Sequence, residues 1–182
     1  MRLSTRARYA LRVMLDIARH GGEEAPVPLG AVAHRTDLSH GYLEQLAAGL
    51  RRGRLLQGIS GRNGGYRLAA TASDIRVSDV IEASIGPVCI VDCVADPSIC
   101  RRASHCECRA LYCLVNRRIA EELESLTLAD LLDPAFVAEH GGFSLEQTGH
   151  IPEGPDPCTV SHGRRRGRPR TPARDLAATR AR

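Results

Sequence analysis

The sequence predicts a mainly α fold carrying one small β wing, with a long helix projecting beyond it. Three observations predict this. Apolar residues recur at helical spacing three times before residue 51, two short strand-like runs flank a glycine-rich turn at 60–65, and a longer helical stripe starts near Glu107.

The elements follow in order. Ser4 is placed to cap a first helix whose apolar positions are Ala7, Ala10, Leu11, Met14, Ile17 and Ala18, and Gly21-Gly22 stops it. Pro26-Val27-Pro28 leads into a short second helix, roughly Leu29 to Arg35, with Leu29, Val32 and Ala33 inward. Asp37-Leu38 makes a turn. Ser39 caps a third helix with Tyr42, Leu43, Leu46, Ala47 and Leu50 on its stripe. Leu55–Ile59 and Tyr66–Ala69 read as strands, and the Asn63-Gly64 step between them suits a hairpin turn with Arg62 at its tip. A helix over Val77–Ile85 ends at Gly86-Pro87. From Glu107 onward, Leu111, Leu114, Val115, Ile119, Leu123 and Leu126 recur at three- and four-residue steps, with most of the charge elsewhere.

This order divides the chain into a domain at 1–86, a cysteine-rich loop at 87–108, the long helix with a return segment at 107–132, and a linker and tail at 133–182. Two short helices joined by a tight turn, followed by a hairpin, form the winged helix-turn-helix outline. No apolar run approaches the ~18–20 residues that cross a bilayer, so no membrane partner is expected. The N-terminus lacks a secretory pattern, and the expected location is cytoplasmic. No nucleophile and base stand at catalytic spacing, and the hairpin glycines lack the Lys-Ser or Lys-Thr of a phosphate-binding loop, so an enzyme is not expected.

All 25 basic residues are Arg, and they are unevenly placed. Residues 1–67 hold 11 Arg against 5 acids, residues 68–150 hold 6 against 13, and residues 151–182 hold 8 against 3. A basic head of this outline points to double-stranded DNA. Ser39, His40, Tyr42, Glu44 and Gln45 lie at the start of the third helix, where base edges are read. Arg51, Arg52, Arg54 and Arg62 are suited to phosphates. A long helix with an apolar stripe beyond a small domain needs a partner, and its symmetry mate in a homodimer is the economical one.

Six of the seven cysteines fall between Cys89 and Cys113. In a reducing compartment such a cluster is a metal or redox site rather than a disulfide frame. Cys93, Cys100 and Cys106, spaced C-x(6)-C-x(5)-C, leave three readings open from spacing alone: an iron–sulfur cluster, zinc, or a thiol redox switch.

Met1–Ala10, Pro26–Leu29, Tyr42–Leu46, Gly64–Tyr66, Asp79–Glu82 and Leu126–Leu131 together resemble the Rrf2 family of winged-helix transcription regulators, over about residues 1–132. The resemblance implies a homodimer joined by the long helix, an iron–sulfur cluster (2Fe–2S favoured over 4Fe–4S) in the loop before it, and operator binding, as a repressor, that depends on the cluster. The three cysteine ligands it implies fall on Cys93, Cys100 and Cys106. Its histidine ligand position is occupied here by Arg109, and an N-terminal carboxylate ligand of some relatives aligns with Arg8. Cys108 is the first candidate for the fourth ligand, with Cys89 and His105 behind it. Glu44 and Gln45 match the base-reading pair. Gly41 and Ser60 depart from the family's Ser and wing Arg, leaving Arg62 as the wing's substitute.

The Pro/Gly-rich stretch 151–157 is a linker, and Arg164–Arg170 contains an Arg-Gly-Arg-Pro core suited to an A·T minor groove. Cys158 is a bystander thiol. Two alternatives accompany the cluster reading: a zinc- or thiol-based redox regulator of the same fold, and a protein-interaction module in cysteine or cluster metabolism that does not bind DNA.

Overall fold

Ser4 opens the fold as expected, its Oγ accepting from the backbone N–H of Ala7 at 3.1 Å. The structure is a computed structural model that describes residues 3–141. Its helices are α1 (Thr5–His20), α2 (Leu29–Thr36), α3 (His40–Arg52), α4 (Val77–Ile85), α5 (Asp92–Ala95), α6 (Glu107–Ser125), α7 (Leu128–Leu132) and α8 (Pro134–Gly141), and its strands are β1 (Leu56–Ile59) and β2 (Gly65–Leu68). The readings placed on Cys158 and Arg164–Arg170 lie outside the described residues.

The core sits where the apolar stripes of α1, α2 and α3 meet α4, with Met14, Ile17, Val32, Leu43, Leu50 and Val80 fully buried. Each such side chain contributes about 1.5–3 kcal/mol relative to exposure. The turn between α2 and α3 is made by Asp37 in the left-handed region (φ 55°), and Ser39 then caps α3 through Tyr42 N. α3 ends through Arg54, which adopts φ 58° so that Leu55 N can return to Leu50 O at 3.0 Å.

β1 and β2 pair antiparallel, Leu56 opposite Leu68 and Ile59 opposite Gly65. The linker before α2 takes part as well: Val27 and Tyr66 exchange both backbone hydrogen bonds, at 2.8 and 2.9 Å. Gly65 is required here. A Cβ built on it would lie 2.3 Å from the Val27 carbonyl oxygen, whereas one on Gly30 in α2 meets nothing within 4 Å. Gly65→Ala is therefore expected to destabilise by about 1–3 kcal/mol in thermal unfolding. Gly30→Ala is expected to stabilise by up to about 1 kcal/mol.

The long helix stops one residue earlier than its stripe suggests. Leu126 is extended (φ −95°, ψ 138°), its carbonyl accepting from Val77 N, while Thr127 bridges Arg76 and Leu128 N bonds Ile75 O. That exchange needs strand geometry, which overrides the helical spacing of Leu126. Thr127 and Asp130 then form a reciprocal cap on α7, and the hydrogen bonds from the Thr127 backbone N–H and hydroxyl hold the Asp130 carboxyl below the usual carboxylate range.

Leu123 reaches the cluster formed by Ala7, Val77 and Ile81, yet no residue of α6 is buried. Leu111, Tyr112, Leu114 and Val115 are exposed, Leu111 at 56%.

Candidate nucleic-acid interface and cysteine segment

The outer face of α3 carries His40, Glu44 and Gln45, all exposed, with His40 Nδ1 3.5 Å from Glu44 Oε1. Ser39 and Tyr42 stand differently. Ser39 Oγ is engaged as the helix cap, and the half-buried Tyr42 ring packs on the core, edge-on to Tyr9 with centroids 6.0 Å apart. Arg51 and Arg52 are exposed at the end of α3, and Arg62 at the tip of the hairpin. A groove of about 540 Å³ between α3 and β1 is lined by Arg51, Arg54, Gln57, Gly58 and Ile59.

Not all the basic head is free for phosphates. Arg6 Nε donates to the Ser84 carbonyl at 2.9 Å, Arg35 forms a bidentate pair with Asp16 at 2.7–2.8 Å, and Arg67 donates to Gln57 Oε1. The Gln57–Arg67 pair was not anticipated; its residues face each other across the hairpin register. The exposed arrangement has the geometry for DNA: a helix with polar side chains at its start and cations at its far end and on the wing. Gln45→Ala is expected to weaken cognate binding by about 1–3 kcal/mol and leave binding to unrelated duplex unchanged. Arg52→Ala should weaken both and lower the salt slope by about 1, read by fluorescence anisotropy at several salt concentrations.

The cysteine segment is more structured than the open loop expected from its sequence. Cys93 lies in α5, Cys100 ends a single 3-10 turn over Pro97–Ile99, and Cys106 caps α6 after a second such turn over Ala103–His105. The Ser98 hydroxyl and N–H both donate to Asp96, holding its carboxyl below the usual range and fixing the first turn. Cys89, Cys93, Cys100, Cys106 and Cys113 are half-buried free thiols and Cys108 is exposed. Cys89 Sγ donates to Val91 O, and the exposed His105 shares a 2.7 Å hydrogen bond with Ser104. The spacing suggested that three thiolates could converge; among the described residues, no three His, Cys, Asp or Glu side chains come together in a way that could hold a metal ion. Arg109 reaches back into the segment, its Nε donating to the Cys93 carbonyl at 2.9 Å.

Comparison with known proteins decides the family. A family model described as "Rrf2: Iron-dependent Transcriptional regulator" matches residues 3–134. The chain belongs to the Rrf2 family. The HTH-type transcriptional regulator IscR of Vibrio atlanticus is 37% identical over 139 residues, 76% of this chain and 79% of that protein. Among solved structures, T. potens IscR superposes with a TM-score of 0.61 at 32% identity, covering 85% of this chain and 94% of the other. CymR of B. subtilis, described as its global cysteine regulator, superposes at 0.60 with 34% identity over 72% and 95%. This Rrf2 protein is thus a DNA-binding transcriptional regulator with a winged-helix fold, and not an enzyme. No helix among the described residues is long and apolar enough to cross a membrane.

Proposed function

We propose that this Rrf2 regulator acts as a homodimeric repressor on double-stranded operator DNA, and that an iron–sulfur cluster of the 2Fe–2S kind sets its affinity. The observation that supports this best is the placement of Cys93, Cys100 and Cys106. They are free, half-buried thiols spaced along one segment that leaves the winged domain and ends as the cap of α6. The donor set fits soft iron–sulfur ligation, and none of the three thiols belongs to a buried cluster of the domain. Cys93, Cys100 and Cys106 would hold the cluster with Cys108, exposed in the first turn of α6, as the fourth ligand. When bound, the cluster supplies a redox-active, exchangeable iron centre. The exposed stripe of Leu111, Leu114 and Val115 would join two protomers and so set the spacing of two α3 helices on the duplex.

Anaerobic purification tests the reading. Visible absorbance with equal amounts of iron and acid-labile sulfide supports the cluster, and colourless protein with neither metal nor sulfide overturns it. A second reading, a thiol-based or zinc regulator, is favoured by the likeness to CymR, described as a global cysteine regulator. It predicts diamide-sensitive operator binding, or one bound zinc, in place of colour.

A further inference from the structure

Helix α6 has two unlike faces. Leu111, Leu114 and Val115 point outward, while Arg109, Cys113 and Asn116, at steps of four and three, are half-buried on the side turned to the cysteine segment. Two of these side chains grip that segment. Arg109 Nε donates to Cys93 O at 2.9 Å, and Asn116 Oδ1 accepts from Ile90 N at 3.0 Å. Both contacts are partly buried and join positions 16 and 26 residues apart. The segment's other hydrogen bonds here are local, such as Val94 N to Val91 O and Asp96 N to Asp92 O. At its far end α6 bears on α4, through Leu123 against the cluster holding Val77 and Ile81, and α4 packs on α3.

We propose that Arg109 and Asn116 are positioning residues that latch the 88–93 stretch to α6, so that a change at Cys93 moves the helix instead of being absorbed by a loose segment. Arg109 thereby acts through a backbone carbonyl, a role suited to a side chain that cannot ligate metal. Asn116 serves as a neutral acceptor for an amide that is half-buried. The latch itself is independent of what the cysteines bind; its use in signalling rests on the proposed sensory role of the segment.

The test uses the full chain, first free of metal. Amide hydrogen exchange of peptides spanning 88–96 is expected to quicken about tenfold in Asn116→Ala and in Arg109→Met, which keeps the aliphatic stem. Asn116→Asp retains the acceptor and should stay within about twofold of the wild type. Peptides from α1–α4 should exchange as before, which separates loss of the latch from unfolding. The second measurement is the ratio of operator affinities between loaded and stripped protein, compared at equal iron and sulfide content. Asn116→Ala should bring this ratio towards one. Unchanged exchange in both single variants would overturn the latch, and a wild-type ratio despite quickened exchange would overturn its role in moving the helix. If the wild-type protein carries no cluster, the iron–sulfur reading fails separately, and the same ratio is measured between reduced and diamide-oxidised protein.

Discussion

Replacing Cys93, Cys100 or Cys106 singly with Ala is expected to strip the iron–sulfur centre and leave the winged domain folded. Each thiol would supply one of few protein ligands, and losing one exposes the remaining iron–sulfur bonds to solvent and exchange. Iron and sulfide per protomer should fall at least about tenfold, with loss of visible absorbance. Cys108→Ala should share the loss, whereas Cys89→Ala and His105→Ala should retain the colour. Thermal unfolding should change little, because none of these residues belongs to either buried cluster. A coloured protein with unchanged iron in any one of the three primary variants would remove that residue from the ligand set.

The second large effect concerns the outer face of α6. Leu111 and Leu114 are 56% and 45% exposed in the single chain, an expensive arrangement for side chains of this size unless a second copy covers them. The double substitution Leu111→Glu/Leu114→Glu places two carboxylates on that face and should yield monomers by sedimentation velocity. Each protomer should keep its fold, since neither side chain belongs to a buried cluster. Operator affinity should drop by at least about 100-fold, because two linked half-site contacts become one. A dimer of unchanged size would show that another surface joins the protomers.

Much of the fold was legible because it rests on local physics. Ser4 and Ser39 cap the helices they were expected to cap, the stripe of Val77–Ile85 becomes α4, and the glycine-rich turn carries Arg62 at the hairpin tip. What escaped the sequence depends on distant partners. Val27 pairs with Tyr66, Leu126 leaves its helix to meet Val77, Arg6 bonds the Ser84 carbonyl and Arg35 pairs with Asp16. None of these pairings has a periodic signature. The cysteine segment was legible in composition and not in shape: Asp96 and Ser98 build a turn from side-chain hydrogen bonds, and Arg109 and Asn116 bond the Cys93 carbonyl and the Ile90 N–H from a helix many residues away. Its cysteines, close in sequence, are not brought together into a metal-holding group among the described residues.

The most direct measurement is operator affinity on one DNA fragment, taken under anaerobic conditions for the same preparation before and after its iron is removed. A change of at least about tenfold, abolished in the Cys93→Ala protein, is the predicted result. Equal affinities with and without the iron–sulfur centre would contradict the account.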